Sequence, residues 1–291
     1  MNQVLVNALV SASGYLLVGV GFSLIYTSAR FFHIAHGIVL TVGAYSTFAL
    51  GVWAGLPLSV SIAGGILAST ILGIGLEWSI YRPLQGRQAS PATLLLASLG
   101  IYVALQALVS LIFGSGTQTF RPSEVPEGLL LVGSRLTVPQ LAIIVVSPIC
   151  CLSTWLFLQR AQIGKMIRAV ANDHDLAEAY GFSRDRVIMV AFFFGSTLAG
   201  VAAILLAYDT DMTPMMGFRA LLMGMIAVII GGIGNIPGAA LGAVLLGLAQ
   251  HLSGWWISSK WQDAIAFLIL ILFLLLRPQG FLGGPLRRAT V

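Results

Sequence analysis

The segment Val4–Thr27 reads VLVNALVSASGYLLVGVGFSLIYT and contains no charged residue. A transmembrane α-helix needs about 20 predominantly apolar residues, so this stretch is long enough to cross a bilayer. The first charged side chain after it is Arg30, of a type that is normally kept at the membrane surface. The segment therefore predicts a membrane-spanning helix, and the rest of the chain must suit a lipid environment.

The composition of the whole chain agrees with a membrane protein. Of its 291 residues, 58% are hydrophobic and 9% are charged, whereas soluble domains carry roughly 25% charged residues. This excludes a monomer that folds in water, and it excludes intrinsic disorder, which requires low hydrophobicity and high net charge. The hydrophobic residues suffice for roughly eight spans of about 20 residues. The net charge of +5 is typical of cytoplasmic loops rich in Lys and Arg, so no nucleic-acid partner is predicted.

Further apolar runs follow along the chain, separated by polar or Gly- and Pro-rich segments. They predict an all-α polytopic membrane protein with eight to nine transmembrane segments, forming a single domain over residues 1–291. The run Gly217–Ile230 is short: as a helix it measures about 21 Å, so it is tilted, broken or re-entrant. The runs are Val4–Thr27, Ile38–Trp53, Leu58–Ile80, Ala92–Phe113, Val138–Leu158, Val187–Ala207, Gly217–Ile230, Ala239–Leu252 and Trp261–Leu276.

The basic residues determine the predicted orientation, because Lys and Arg are enriched in cytoplasmic loops. If every run crosses and the segment 159–186 is cytoplasmic, eleven Lys and Arg residues lie inside and four outside. We therefore expect the N-terminus outside, the C-terminus in the cytoplasm and nine crossings. The eleven are Arg30, Arg82, Arg87, Arg160, Lys165, Arg168, Arg184, Arg186, Arg277, Arg287 and Arg288, and the four are Arg121, Arg135, Arg219 and Lys260.

The residues that power transport in other membrane proteins are missing. No phosphate loop of the form Gly-x-x-x-x-Gly-Lys-Ser/Thr is present, since Gly164-Lys165 lacks the upstream Gly and the following hydroxyl. Ion-coupled carriers hold ionisable residues within their spans. Here Glu77 lies near the cytoplasmic end of its run, close enough to Arg82 to pair or to snorkel. Asp263 starts the last run, near the interface. We therefore expect no ATP site, ion relay or enzyme active site, and active transport must take its energy from another subunit.

The charged segment 159–186 contains a predicted short amphipathic helix over Gly164–Gly181. Apolar or small residues recur at spacings of three and four, acidic residues occupy other positions, and Gly181 suits a C-cap. Such a helix either lies on lipid or docks in a groove of another protein. Because its apolar face is mostly Ala, without a Trp, Phe or Leu stripe, docking is the favoured interpretation.

A Gly-rich segment, Gly231-Gly232-Ile233-Gly234-Asn235-Ile236-Pro237-Gly238, follows the short run. Small residues spaced four apart let helices approach closely, whereas Asn235 and Pro237 interrupt a helix. Irregular backbone at membrane depth is tolerated only inside protein or along a cavity. The segment is therefore a tight packing site, a moving pore wall or gate, or both.

His33 and His36 are spaced to share a helix face. No Cys or acidic residue nearby completes a metal site, so no metal or other cofactor is predicted, and a role at a helix start is favoured. Polar side chains and small residues within the runs and motifs are the candidates for a translocation path or gate. They are His36, Gly37, Tyr45, Gln106, Gly234, Asn235, Gly238 and Gln250.

Three motifs resemble the LivH-type permease subunits of branched-chain amino acid ABC transporters. The first is Ala35-His36-Gly37 followed by Gly43-Ala44-Tyr45, where the family usually has Asn at the position of His33. The second, Gly164-Lys165…Arg168-Ala169…Ala171…Ala177…Gly181, is similar to the cytoplasmic loop of importer permeases. The third is Gly231–Gly238 with Ala239 and Gly242, together with the ending Arg277-Pro278-Gln279-Gly280-Phe281…Gly283. Together they extend over nearly the whole chain.

The resemblance implies a permease of the bacterial inner membrane. Its partners would be a second, related permease, two ABC ATPase subunits and a periplasmic substrate-binding protein, and its substrates branched-chain or other neutral amino acids. The short cytoplasmic helix would then be a coupling helix that enters an ATPase groove. The expected coupling residues are Arg168, Ala171, Asp173, Ala177, Glu178 and Gly181. The alternative is a self-contained channel or facilitator for urea or another small neutral solute, which also needs no ion relay.

Overall fold

The computed structural model describes residues 1–120, 128–131, 133–172 and 183–283, and this part of the chain is almost entirely helical. A π-helical turn, Ala49–Trp53, continues α2, and a second one, Glu77–Tyr81, joins α3 to α4. The helices are α1 (Asn2–Ala29), α2 (His36–Phe48), α3 (Leu58–Leu76), α4 (Arg82–Gly86), α5 (Pro91–Phe113), α6 (Val138–Arg160), α7 (Gln162–Asn172), α8 (Arg184–Asp209), α9 (Met216–Gly231), α10 (Ile236–Trp256) and α11 (Gln262–Leu276).

Eight helical segments of the described chain are long and apolar enough to cross a bilayer. They correspond to eight of the nine predicted runs, and the remaining run forms the shorter helix α9. The prediction of an all-α polytopic membrane protein is confirmed. The eight segments are Asn2–Ala29, His36–Trp53, Leu58–Gly86, Pro91–Phe113, Val138–Arg160, Arg184–Asp209, Ile236–Trp256 and Ser259–Leu276.

Helix α1 forms the centre of the bundle. It packs against α6, α8, α9 and α10, and most of its surface is buried. Helices α2 and α3 pack together, and both also contact α8. By contrast, α5 and α11 leave most of their apolar surface exposed, as expected of helices that face lipid or another subunit.

Glycines allow the central helices to approach each other closely. Gly19 of α1 lies against Gly224 of α9, and Gly21 lies against Gly195 of α8. A Cβ added at Gly19 or Gly21 would stand 2.7 or 2.9 Å from the facing carbonyl oxygen. Small residues are enriched where membrane helices meet, because association in lipid depends on close packing.

The bundle has two ends, which we call the Asn2 end and the Ala29 end after the first and last residues of α1. At the Asn2 end an antiparallel hairpin, Leu129–Leu131 with Ser134–Leu136, packs on α1. Gln3 Nε2 donates there to the carbonyl of Arg135 (3.1 Å). The hairpin lies within the loop that connects α5 to α6.

Local sequence signals determine several helix starts. Thr137 and Gln140 form a capping box at the start of α6. Ser90 caps α5, where Pro91 occupies the first helical position. The predicted helix interruption at Asn235 is confirmed, since α9 ends at Gly231 and α10 begins at Ile236.

Candidate functional site

Helix α7 lies at the Ala29 end with its apolar face against the bundle. Ile167 and Val170 are buried against Leu24 of α1 and against Val187 and Ala191 of α8. The amphipathic helix predicted in this segment is therefore present over its first part, and that part packs on the same chain. Docking on another protein stays a prediction for the segment after Asn172.

The expected coupling residues lie on both sides of a boundary of the described structure. Arg168 is exposed on α7, and its guanidinium donates to the side-chain oxygen of Gln159. The backbone of Ala171 belongs to α7. The other expected coupling residues, Asp173, Ala177, Glu178 and Gly181, lie outside the described residues.

The starts of α2 and α9 meet in the core. A Cβ added at Gly37 would lie 3.2 Å from the carbonyl oxygen of Gly217, and one added at Gly217 would collide with the carbonyl oxygen of Gly37. Thr41, one turn further along α2, also faces Gly217, at 2.5 Å from its built Cβ. Two helix starts therefore abut backbone to backbone, and this junction gives Gly37 of the Ala-His-Gly motif a packing role.

His33 and His36 precede Gly37 in the chain and are both fully buried. Their ring centroids are 5.9 Å apart, and His33 also packs on Tyr81 (5.3 Å) and Phe192 (5.0 Å). None of their four ring nitrogens has a hydrogen-bond partner among the described residues. Burial, reinforced by the neighbouring His36, holds the pKa of His33 well below its ordinary value, so this side chain is neutral at physiological pH.

Glu77 is buried deeper than the sequence suggested. It is 1% exposed, and its Oε2 has no hydrogen-bond partner in the described part of the chain. Of the two arrangements expected for Glu77, pairing with Arg82 is not formed: Arg82 Nε instead donates to Asp185 Oδ2 of α8 (2.8 Å). The reason is the partner that the fold supplies: the Asp185 carboxylate of α8 engages the Arg82 guanidinium.

The Gly-rich segment forms a close helix–helix corner at the Ala29 end. Asn235 Oδ1 accepts from the N–H of Gly238 (2.9 Å), and its Nδ2 donates to the carbonyl of Leu282 (2.8 Å). The N–H of Gly234 donates to Ser23 Oγ (2.9 Å). Gly238 packs directly on the carbonyl of Gly231. These contacts support the packing interpretation of the motif and give Asn235 a capping role.

Gln250 belongs to a group of hydrogen-bonded polar side chains in the half of the bundle nearer the Asn2 end. Its Oε1 accepts from the hydroxyl of Tyr15 on α1 (2.7 Å), and its Nε2 donates to the carbonyl of Gln262 on α11 (3.3 Å). The next residue of α10, His251, shares a hydrogen bond with Ser11 (2.8 Å). Polar side chains thus connect α1, α10 and α11 across the bundle.

Tyr45 and Gln106 lie apart from both polar groups. Tyr45 is buried in α2 with its ring against Phe113 (4.8 Å between centroids). Gln106 is half-buried in α5 and donates to Ser110 Oγ (3.4 Å). The eight path candidates therefore divide into a helix junction (His36, Gly37), a corner (Gly234, Asn235, Gly238), a polar group (Gln250) and two separate positions.

A cavity of about 150 Å³ opens near the C-terminal end of α2. Thr47 and Ser61 contribute hydroxyl groups to its lining, and Phe120 and Tyr208 contribute stacked rings 4.8 Å apart. None of the predicted path residues lines this cavity. Its residues come from α2, the π-helical turn and loop that follow α2, α3, α8 and the loop after α5, so only the folded chain brings them together.

Arg219 and Asp263 form an ion pair that the sequence did not indicate. Arg219 was expected in the group outside the membrane, and Asp263 at an interface. Arg219 lies in the first turn of α9 and Asp263 in the first turn of α11, with 3.1 Å between the Arg219 Nη2 and the Asp263 carboxylate. Opposite charges in two separate apolar runs are the only sequence signal for this pair.

The polar side chains described above contact one another and the backbone of neighbouring helices. In the described ranges, no three His, Cys, Asp or Glu side chains converge in a way that could hold a metal ion. The described features are close glycine contacts between helices, buried polar atoms without hydrogen-bond partners and an amphipathic helix at one end.

Comparison with known proteins places the chain among transport permeases. Residues 4–274 match the family model of the branched-chain amino acid transport system permease component. The high-affinity branched-chain amino acid transport system permease protein LivH of Salmonella typhimurium is 33% identical, over 97% of this chain and 96% of the relative. The permease protein BraD of Pseudomonas aeruginosa is also 33% identical, with the same coverage. A probable LivH of Methanocaldococcus jannaschii is 24% identical over 97% of this chain and 92% of that protein.

The fold is also found in a solved structure. A chain of PsaBC from Streptococcus pneumoniae, in complex with a Fab, aligns with a TM-score of 0.51 at 12% identity, covering 96% of this chain and 92% of that chain. At this identity the likeness shows the fold alone. It agrees with the helical architecture described above.

Proposed function

The chain belongs to the branched-chain amino acid transport system permease family, and on that premise we propose that it is the membrane subunit of an ATP-driven importer for branched-chain or other neutral amino acids. The observation that carries the proposal is the match to LivH and BraD permeases over nearly the full length of the chain. The missing phosphate loop supports it, because the energy must then come from a separate ATPase.

The proposed partners are a second, related permease, two ABC ATPase subunits and a periplasmic substrate-binding protein. Helix α7 supports the ATPase contact, because it packs on the central helices α1 and α8 and directly precedes the segment after Asn172 in the sequence. A displacement of that segment would be transmitted to α1 through the contact with Leu24, and to α8 through the contacts with Val187 and Ala191. We place the coupling residues Arg168, Ala171, Asp173, Ala177, Glu178 and Gly181 in this contact.

The proposed location is the bacterial inner membrane, with the Asn2 end periplasmic and the Ala29 end cytoplasmic. The distribution of basic residues supports this orientation, since Lys and Arg are enriched on the cytoplasmic side. Arg30, Arg82, Arg87, Arg160, Lys165, Arg168, Arg184, Arg186 and Arg277 belong to the connections and helix termini of the Ala29 end, whereas Arg135 and Lys260 belong to the Asn2 end.

A co-purification experiment tests the proposed assembly. The affinity-tagged chain, expressed with the products of its neighbouring genes and extracted in mild detergent, is expected to retain the ATPase and the second permease. Ile167→Ala is expected to reduce ATPase recovery, whereas Ile163→Ala on the exposed side of the same helix is the matched control. Recovery of the chain alone under conditions that keep it folded would contradict the proposal.

A further inference from the structure

Directional side-chain contacts join α1, α9, α10 and α11 into one group, which we call the α1 unit. Tyr15 of α1 donates to Gln250 of α10 (2.7 Å), and Gln250 donates to the carbonyl of Gln262 at the start of α11 (3.3 Å). The ion pair between Arg219 and Asp263 (3.1 Å) connects α9 to α11. The helices of the α1 unit are therefore tied to one another and not only packed.

The segment that follows α11 fastens this unit at the Ala29 end. The N–H groups of Phe281 and Leu282 donate to the carbonyls of Ile230 and Gly231, at 2.8 and 3.0 Å. These carbonyls belong to the last turn of α9, where a helix has no partner of its own for them. Together with the ion pair, these bonds attach α11 to α9 near both ends of α11.

A second set of hydrogen bonds joins α2, α3 and α8, which we call the α8 unit. Ser69 of α3 donates to the carbonyl of Val39 of α2 (3.1 Å). The hydroxyl groups of Thr70 on α3 and Thr197 on α8 share a hydrogen bond (3.0 Å). These contacts connect α3 to both of the other helices, so the α8 unit is tied internally as well.

The two units meet along α1 and α8 and at the starts of α2 and α9, through backbone packing. A Cβ added at Gly21 of α1 would stand 2.9 Å from the carbonyl oxygen of Gly195 of α8, and one added at Gly195 would stand 2.8 Å from that of Gly21. Gly37 and Gly217 abut in the same manner. The hydrogen bonds named above each lie within one unit, whereas these boundary contacts are packing contacts.

A row of small residues on α8 includes Gly195. Ala191, Gly195, Ala199 and Ala203 recur at every fourth position and are all buried. Ala191 belongs to the cluster that contains Leu24 of α1, and Gly195 lies against Gly21. Residues spaced four apart form a ridge on a helix. A ridge of small residues does not interlock with large side chains, so α1 has a smooth surface to move along.

His36 is a buried polar side chain at the same boundary. It belongs to α2, and its Nε2 lies 3.3 Å from a Cβ added at Gly21 of α1. Neither ring nitrogen has a hydrogen-bond partner among the described residues, which is an unfavourable arrangement for a buried polar group. A shift of α1 relative to α2 therefore breaks no hydrogen bond of His36 with the part of the chain that the structure describes.

Helix α7 lies across the boundary at the Ala29 end. Its buried residues are Ile167 and Val170. They pack on Leu24 of the α1 unit and on Val187 and Ala191 of the α8 unit. A displacement of α7 therefore acts on both units at once.

We propose that the α1 unit and the α8 unit are rigid bodies that slide past each other along their helices during transport, driven by displacement of α7. This inference rests on the proposed function, because the displacement comes from the ATPase partner, and it states which parts of the chain move together. Shear of packed helices is an established form of conformational change. The hydrogen bonds within each unit preserve its shape, and the glycine contacts at the boundary let the backbones shift.

Distances between four exposed positions test the sliding motion. In the α1 unit, Trp256 ends α10 near the Asn2 end, and Leu282 lies at the Ala29 end. In the α8 unit, Thr210 directly follows α8 near the Asn2 end, and Trp78 lies in the turn after α3 at the Ala29 end. Pairs of these positions are changed to Cys in a background without the native cysteines and are labelled with nitroxides. Double electron–electron resonance is measured on the importer complex in nanodiscs, without nucleotide and after trapping with ATP and vanadate.

Sliding changes the two diagonal distances in opposite directions. On trapping, we expect one of the pairs Trp78–Trp256 and Thr210–Leu282 to lengthen and the other to shorten, each by about 2 Å or more. The pairs within one unit, Trp256–Leu282 and Trp78–Thr210, use the same four positions and are expected to stay constant. Constant diagonal distances in a complex that hydrolyses ATP and takes up L-leucine would overturn the inference, and so would equal changes within the units.

Cross-linking gives a second test through transport. Thr70→Cys/Thr197→Cys joins two helices of the α8 unit, whereas Gly14→Cys/Leu206→Cys joins α1 to α8 across the boundary, where a Cβ added at Gly14 would lie 3.2 Å from the Leu206 side chain. Oxidation to the disulfide is expected to leave L-leucine uptake unchanged in the first variant and to abolish it in the second until the bond is reduced. Full uptake by the oxidised boundary variant, or its loss in the oxidised α8-unit variant, would contradict the sliding of rigid units. If the wild-type complex takes up no L-leucine, the proposed function fails instead.

Discussion

His33 is the residue whose environment makes the clearest prediction about pH. Because burial lowers its pKa, the folded protein keeps this side chain neutral at a pH where an unfolded chain binds a proton, below about 6.5. Stability is therefore fully present above that pH and decreases as the pH falls, by up to about 1.4 kcal/mol per pH unit from this one group. Thermal unfolding of the detergent-solubilised protein between pH 7.5 and 5 measures the effect.

The variant His33→Asn separates this contribution from that of other groups. Asn does not titrate, so its midpoint temperature is expected to fall less steeply with pH than that of the wild type. An unchanged pH dependence in the variant would show that His33 does not titrate as its burial implies.

Asn235 makes a prediction about helix capping. Its side chain bonds both the first turn of α10 and the carbonyl of Leu282, so Asn235→Ala is expected to cost about 1 kcal/mol from the lost cap and to loosen the segment that follows α11. Asn7→Ala is the control, since Asn7 accepts a bond from Gln3 within the same helix, α1. Equal thermal stability of the two variants would contradict a capping role.

At the scale of the elements, α7 is the part whose attachment matters most. Ile167 is 2% exposed and Ile163 is 42% exposed on the same helix. Truncating a buried Ile to Ala costs about 2–5 kcal/mol, whereas truncating an exposed one costs little, so Ile167→Ala is expected to detach α7 and Ile163→Ala is not. Limited proteolysis after α6 and stimulated ATPase activity of the complex report the difference. Similar behaviour of the two variants would contradict the packed position of α7.

The junction of α2 and α9 makes a second prediction at this scale. A methyl group at Gly217 would collide with the carbonyl of Gly37, whereas one at Gly100 on α5 would meet open space. Overpacking of this kind costs about 1–3 kcal/mol, so Gly217→Ala is expected to lower thermal stability and Gly100→Ala to leave it unchanged. A wild-type midpoint for Gly217→Ala would show that the two helix starts are not in contact.

The spans were predictable from the sequence because a run such as Val4–Thr27 carries its own signal of length and hydrophobicity. Contacts between distant runs carry no such signal. Gly37 was singled out by its motif, but its partner Gly217 lies 180 residues away along the chain. Arg219 pairs with Asp263 of another helix, and Arg82 pairs with Asp185 of α8 rather than with Glu77. Contacts between residues that are distant in the sequence could therefore be identified only from the structure.

At the scale of the whole molecule, the chain has no phosphate loop and belongs to a family of transport permeases. The central claim is that transport through it requires an ATPase partner. A self-contained facilitator with the same helices would conduct its solute alone, so the two functions differ in what the isolated chain does.

Uptake of radiolabelled L-leucine into proteoliposomes is the measurement that tests this claim most directly. Vesicles that contain the chain with its partner permease, the ATPase subunits, the binding protein and internal ATP are expected to accumulate L-leucine against its gradient. Vesicles that contain the chain alone, or the complex without ATP, are expected to take up none above background. Equal flux of L-leucine or urea through the chain alone would contradict the account.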